Sequence, residues 1–265
     1  MRLPEVPEPL EEIITLRRDL VMVKTVKAIE SPCKMPNGLQ WTSDGLYVMD
    51  QLTDNVYVVD ERGKLLRTIN TVTENGSGIT VGGGFIWTGS NGKATARPYR
   101  STDTHLGYVY KLDMKTGEAV DRFRTPDGGG LHGIEWDNGL MWVTQFGPKS
   151  IHLVDPAKDF KVVFKFPVDL PRAHGLARDG DGLWCAFTGI RTIVKYNVKS
   201  GKEMERIQLP DDAPFPHGLS IKDGVLWYAD ANWPTDSGTS RGYPEIGTIV
   251  RDSARSKTTT SRAAR

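Results

Sequence analysis

Cysteine is nearly absent: Cys33 and Cys185 are the only two in 265 residues, and neither belongs to a C-x-x-C pair. That excludes a disulfide framework and predicts two free thiols in a reducing compartment. Net charge is also small. Lys plus Arg number 34 against 33 acidic residues, a balance of +1, so no basic field is available to hold a phosphate backbone and nucleic acid is excluded as partner. Long apolar runs are missing as well. The opening stretch M-R-L-P-E-V-P-E-P-L-E-E-I-I-T-L-R-R-D-L places acids and prolines among its apolar positions, unlike a signal peptide, and no segment is long enough to span a membrane. The expectation is a soluble, cytoplasmic protein whose partner is a small-molecule substrate.

Glycine, in contrast, is abundant: 28 residues, with 16 prolines, punctuate the chain at short intervals and favour an all-β fold. Residues 1–20 read as an extension with a short helix from Pro9 to Arg18, and Val21 to Ile29 reads as a strand. Beyond it the text repeats. Asn37-Gly38, Ser77-Gly78, His132-Gly133, His174-Gly175 and His217-Gly218 recur at intervals of about 42 residues, with one longer interval between the second and third. Each unit continues with a Gly turn (Gly45, Gly84, Gly139, Gly182, Gly224) and a strand carrying Tyr47, Trp87, Trp142, Trp184 or Trp227. A third strand follows (Val56–Asp60, Val109–Asp113, Ile151–Asp155, Ile193–Asn197, Ile249–Asp252), and a fourth in the first four units (Leu65–Ile69, Ala119–Phe123, Val162–Phe166, Met204–Ile207).

Four short antiparallel strands per repeat at this period describe a propeller blade. Five blades are countable within residues 21–252. The fifth lacks a fourth strand, because residues 253–265 are basic, Thr- and Ser-rich and expected to be disordered. The strand at Val21–Ile29 supplies it, which predicts a five-bladed β-propeller closed by an N-terminal strand. A six-bladed ring with an incomplete C-terminus is the alternative.

In a propeller the start of each innermost strand rings the central axis, so Asn37, Ser77, His132, His174 and His217 converge. Three imidazoles facing one point suit a divalent metal, with zinc, manganese, iron, nickel and copper undistinguished, and His132, His174 and His217 are the expected ligands. Hydrogen bonding of each ring to a neighbouring blade is the structural alternative. Two long loops open on the same face: Asn91–His105 in the second blade and Asn232–Glu245 in the fifth. Their Tyr99, Arg100 and Tyr243 are candidates for proton transfer, and Arg97, Arg241 and Trp233, with Asn37 and Gln145 nearer the axis, for binding substrate. Asp50, Ser90, Gln145 and Asp230 end the second strands as another polar ring. Glu135 is a reserve base or ligand, His152 reads as structural and His105 has no assigned role. Trp87, Trp142, Trp184 and Trp227 share one register and read as packing between blades.

The repeated text, x-G-[IL], a polar spacer, [DN]-G and then an aromatic, resembles the NHL-like, SMP-30/gluconolactonase-like and streptogramin-lyase-like propellers over most of residues 22–252. Streptogramin lyases and peptidyl-hydroxyglycine lyases use axial histidines with a bound divalent metal, and His132, His174 and His217 look like those positions. The resemblance thus implies a metal-dependent lyase. Lactonases of the group lean on acidic and Asn ligands, a part open here to Asn37 with Asp50 or Asp230. A metal-dependent lactonase or hydrolase is therefore the second expectation, and a non-enzymatic binding platform the third.

Overall fold

The computed structural model describes residues 23–231 and 241–251; the expected helix at Pro9–Arg18, Trp233 and the tail from 253 lie outside them. The described residues fold into twenty strands in five four-stranded antiparallel sheets. Strand β1 (Val23–Glu30) comes first. The first blade is β2 (Pro36–Thr42), β3 (Gly45–Asp50), β4 (Asn55–Val59) and β5 (Leu65–Asn70); the second is β6 (Gly76–Gly82), β7 (Phe85–Ser90), β8 (Tyr108–Asp113) and β9 (Ala119–Arg124). The third is β10 (Leu131–Asp137), β11 (Leu140–Gln145), β12 (Ser150–Asp155) and β13 (Lys161–Pro167), and the fourth β14 (Ala173–Asp179), β15 (Gly182–Phe187), β16 (Thr192–Asn197) and β17 (Glu203–Gln208). The fifth combines β18 (Pro216–Lys222), β19 (Val225–Asp230) and β20 (Glu245–Arg251) with β1, which pairs antiparallel to β20 from Val23↔Arg251 to Glu30↔Glu245. The ring is five-bladed and closed by the N-terminal strand, as the repeats predict.

Why the repeated Gly is needed follows from the narrow axis. The inner strands β2, β6, β10, β14 and β18 contact one another in that cyclic order. A Cβ on Gly133 would stand 2.1 Å from the carbonyl oxygen of His174, and one on Gly175 the same distance from that of His217. Gly38, Gly78 and Gly218 likewise face the backbone of the next inner strand at 2.6–3.0 Å. Backbone packs on backbone around the ring, and only a residue without a side chain fits between.

Between adjacent sheets lie five apolar clusters. Trp184, Ile193 and Ile207 of the fourth blade, for example, pack on Leu219, Tyr228 and Ile249 of the fifth. The tryptophans fill these interfaces as expected, and the out-of-register pair joins them: Trp136 stacks on Trp87 at 5.6 Å, and Trp41 meets Trp227 edge-on at 5.1 Å. Burial of these rings together with the aliphatic side chains of the clusters holds neighbouring sheets together.

Candidate functional site

Each inner strand shifts register against its partner at the residue pair that carries the repeat: between Leu131 and Ile134, Ala173 and Leu176, Pro216 and Leu219, Gly76 and Ile79, and Pro36 and Gly38. A bulge re-aims the side chain at its centre. Here it sets Asn37, His132, His174 and His217 among the lining residues of a cavity of about 350 Å³ at the mouth of the axis. Just beyond, Leu39, Ile79, Ile134, Leu176 and Leu219 close the channel to about 10 Å³, the limit for one water. The cavity is thus a blind cup with an aliphatic floor.

One wall is imidazole. The His132 and His174 rings lie face to face at 4.4 Å and 15°, and His217 meets His174 edge-on at 4.8 Å. His132 Nδ1 lies 3.1 Å from the Ala173 carbonyl of the next blade, and His217 Nδ1 is 3.0 Å from that of Phe215. A carbonyl only accepts, so both rings donate through Nδ1–H and keep a lone pair on Nε2. His174 Nδ1 is buried without a partner among the described residues, so no protein contact fixes which nitrogen of that ring carries the proton. Burial is the main cause that holds all three neutral, and the Arg172 charge adds to it. His132 and His217 are pushed down to about 4, and His174 well below its ordinary value, helped by its two neighbours.

The facing wall is amide. Ser77 donates to Asn37 at 3.1 Å, Asn37 to Gln51 at 2.5 Å, and Gln51 to Asn75 at 2.8 Å. Asn91, Thr188, Phe146, Met35 and Leu52 complete the lower rim, and Thr95 and Ala96 reach in from the insertion between β7 and β8. Among the described residues Arg172 is the one charged residue of the lining.

Most of these lining residues were not singled out from the sequence, yet their positions repeat. Met35, Asn75 and Arg172 stand three residues before the inner-strand glycine; Gln51, Asn91, Phe146 and Thr188 stand one residue beyond the second strand. The polar ring read from the sequence, Asp50, Ser90, Gln145 and Asp230, is one position short of the cup. Asp50 is turned into its own loop, accepting from Met35 N, Leu52 N, Thr53 N and Thr53 Oγ1. Gln145 donates to Asp127, and Asp230 is buried at the end of β19.

The loop residues expected at the chemistry are elsewhere. Arg97 is buried between Asp54 at 2.5 Å and Asp103 at 2.7 Å, and Arg100 donates to the carbonyls of Thr71 and Thr53. Both staple the insertion to the first two blades. Glu74 adds to this by accepting from the amides of Thr104 and His105, with His105 Nδ1 at 2.9 Å. Arg241 bonds Glu245 at 3.2 Å and the Thr25 carbonyl at 2.9 Å, tying β20 to the closing strand. Tyr99 is 68% exposed against His105, Tyr243 is 47% exposed, and neither lines the cup. Glu135 lies past the aliphatic floor, where it accepts from the Arg178 amide of the next blade. His152 is buried within β12, beside Ser150.

The donor chemistry of the imidazole wall suits a divalent ion, but the ring placement does not. Rings stacked face to face hold their in-plane lone pairs side by side, not aimed at one point. Among the described residues no group of three or more His, Cys, Asp or Glu is arranged to hold a metal ion. No helix among them is long and apolar enough to cross a membrane.

No protein-family model and no curated protein matches the sequence. Solved structures do match in shape. The glutaminyl cyclase of Myxococcus xanthus aligns with a TM-score of 0.64 at 10% identity, over 87% of this chain and 96% of that one. A streptogramin B lyase aligns at 0.50 and 14% identity, over 87% and 98%. A catalytically inactive variant of virginiamycin B lyase from Staphylococcus aureus, with quinupristin, aligns at 0.50 and 17%, over 83% and 67%. At such identities the likeness is one of fold: this chain has the β-propeller architecture on which those enzymes are built.

Proposed function

We propose that the chain is a propeller enzyme of the lyase class, acting on a small organic molecule in the axial cup with imidazole as the base. The observation that carries this reading is the gathering of three neutral imidazoles in one wall of a blind cavity that has, among the described residues, no acidic side chain in its lining. In an elimination, a base takes the proton from a carbon beside an electron-withdrawing group. The C–H electron pair becomes the new double bond, and the leaving group departs with its own pair. His132 and His217 hold Nε2 lone pairs for the first step. His174, with its Nδ1 untied, can carry its N–H on Nε2 and donate to the leaving group. A positive Arg172 at the rim and the amide donors oppose the charge that builds on the substrate.

A pKa near 4 makes a weak base in the empty cup; a bound anion raises it, so basicity develops when substrate is in place. Hydrolysis on a carboxylate-held metal has less support, because Asp50 is committed to its turn and the lining has no acid among the described residues. A divalent ion, if one binds, would be held by His132, His174 and His217 only after a ring turns, and no step above passes through it.

The test is a mass-spectrometric screen of small organic acids and esters with the purified protein. Products whose masses sum to that of the substrate mark elimination; a gain of one water marks hydrolysis and overturns the lyase assignment. His217→Ala is expected to lower turnover by about 100-fold or more while the protein still unfolds in a cooperative transition. Full turnover in both His132→Ala and His217→Ala would remove imidazole from the chemistry. Elemental analysis of the same samples decides the metal: one equivalent that disappears in His174→Ala overturns the metal-free steps. Absence of turnover across the screen would favour the binding platform.

A further inference from the structure

Arg172 is the arginine that lines the cup. Arg97, Arg100, Arg178 and Arg241 are each tied by ion pairs or carbonyls, whereas among the described residues the Arg172 guanidinium has no hydrogen-bond or ion-pair partner. It follows the fourth-strand loop of the third blade, immediately before β14, with φ at +55°, a left-handed conformation strained for a residue with a side chain. Among the described residues no acidic group shares the cup with it. An unpaired, permanently charged fork at the rim of a largely apolar concavity is matched by a planar anion.

Opposite polarity is needed deeper in. His132 and His217 present acceptors, since their N–H groups are directed to carbonyls, so the part of a ligand that reaches them must donate. Met35, Leu52, Ala96 and Phe146 offer apolar surface between the two. A volume of about 350 Å³ sits at the small end of ligand cavities, roughly 300–1000 Å³. Among the described residues the cup holds no lysine and no second arginine, which disfavours a phosphate dianion.

Resting on the reading of the cup as the working site, we infer that its occupant is a small carboxylic acid: the carboxylate pairs with the Arg172 guanidinium, and an O–H or N–H of the same molecule donates to the His132 and His217 Nε2 atoms. A hydroxy acid is the simplest molecule with both groups. An acid with a leaving group two carbons from the carboxylate also meets the demand of elimination, because the proton to be removed is then the one next to the carboxylate.

Binding can be read without turnover, by calorimetry and ligand-observed NMR with mandelate and lactate, each beside its neutral carboxamide, and with inorganic phosphate. The acids are expected to bind at least tenfold more tightly than the amides. Arg172→Gln should abolish that preference, and Arg172→Lys should keep part of it; the side chain is exposed, so both variants should melt with the wild type. Equal binding of acid and amide, no binding of either acid, tighter binding of phosphate, or a preference that survives in Arg172→Gln would each overturn the assignment. Acids with a leaving group two carbons from the carboxylate that bind but are never turned over would instead sink the enzymatic reading and leave the assignment of ligand class standing.

Discussion

Glu135 lies two residues past Gly133 on β10, beyond the aliphatic floor, where Oε1 accepts from Arg178 N at 3.1 Å and Oε2 has no partner among the described residues. Burial raises its carboxyl from 4.5 to about 8, with the Asp137 charge adding to the shift. It ties blades as Thr80 and Ser220 do, whose hydroxyls accept from Trp136 N and Trp41 N of the neighbouring inner strands. The sign of its pH effect follows from proton counting: above about 4.5 the unfolded chain releases a proton that the fold retains up to about 8. Stability from this residue is therefore greatest below 4.5 and declines as pH rises through that window. Glu135→Gln keeps the acceptor and removes the titration. Its melting temperature should match the wild type near pH 4 and exceed it increasingly toward pH 8, by on the order of a few kcal/mol in stability. Melting curves that stay parallel across pH would show the carboxyl to be ionised in the fold.

At the scale of the element, the inner strand is the unit that makes both ring and site, and its glycine is the residue least open to change. Gly175→Ala drives a methyl against the backbone of β18 at His217, Gly218 and Leu219, with no flexible atom to yield. We expect a loss of about 3 kcal/mol or more, measured by urea unfolding. Gly189→Ala, with open space around the new carbon, should fall within about 0.5 kcal/mol of wild type. Equal losses at the two positions would refute backbone contact as the reason for the repeat. This same glycine made the architecture legible, since a residue required by contact in every blade repeats in the sequence. The histidines were found because they sit beside it. Arg172, Asn75 and Gln51 were not, because they lie outside the strand text, at positions whose aim depends on a bulge and a loop that the spacing does not show. Arg97, Arg100 and Arg241 misled for the converse reason: an arginine in a long loop reads alike whether it faces solvent or is paired with Asp54, a carbonyl or Glu245.

For the whole molecule, closure is the step that converts five sheets into one ring. Without β1, the outer edge of β20 would stand unpaired and Val23 and Ile29 would leave their apolar clusters, so the fifth blade would lose part of its packing on the fourth blade and on the first. Lys24 faces Val250 across this seam in the register, and both are exposed. A Lys24→Cys, Val250→Cys pair should therefore oxidise to a disulfide that bridges nearly the entire chain. Cys33 and Cys185 are buried free thiols and should not compete. Because the loop closed is longer than 100 residues, the chain-entropy effect is on the order of 4–5 kcal/mol. The oxidised variant should melt above the wild type, fall back on addition of reductant, and show the bond by mass spectrometry of a non-reduced digest. Failure of the two thiols to join would place β1 away from β20 and open the ring, and with it the geometry that brings His217 of the closing blade to His174 and His132.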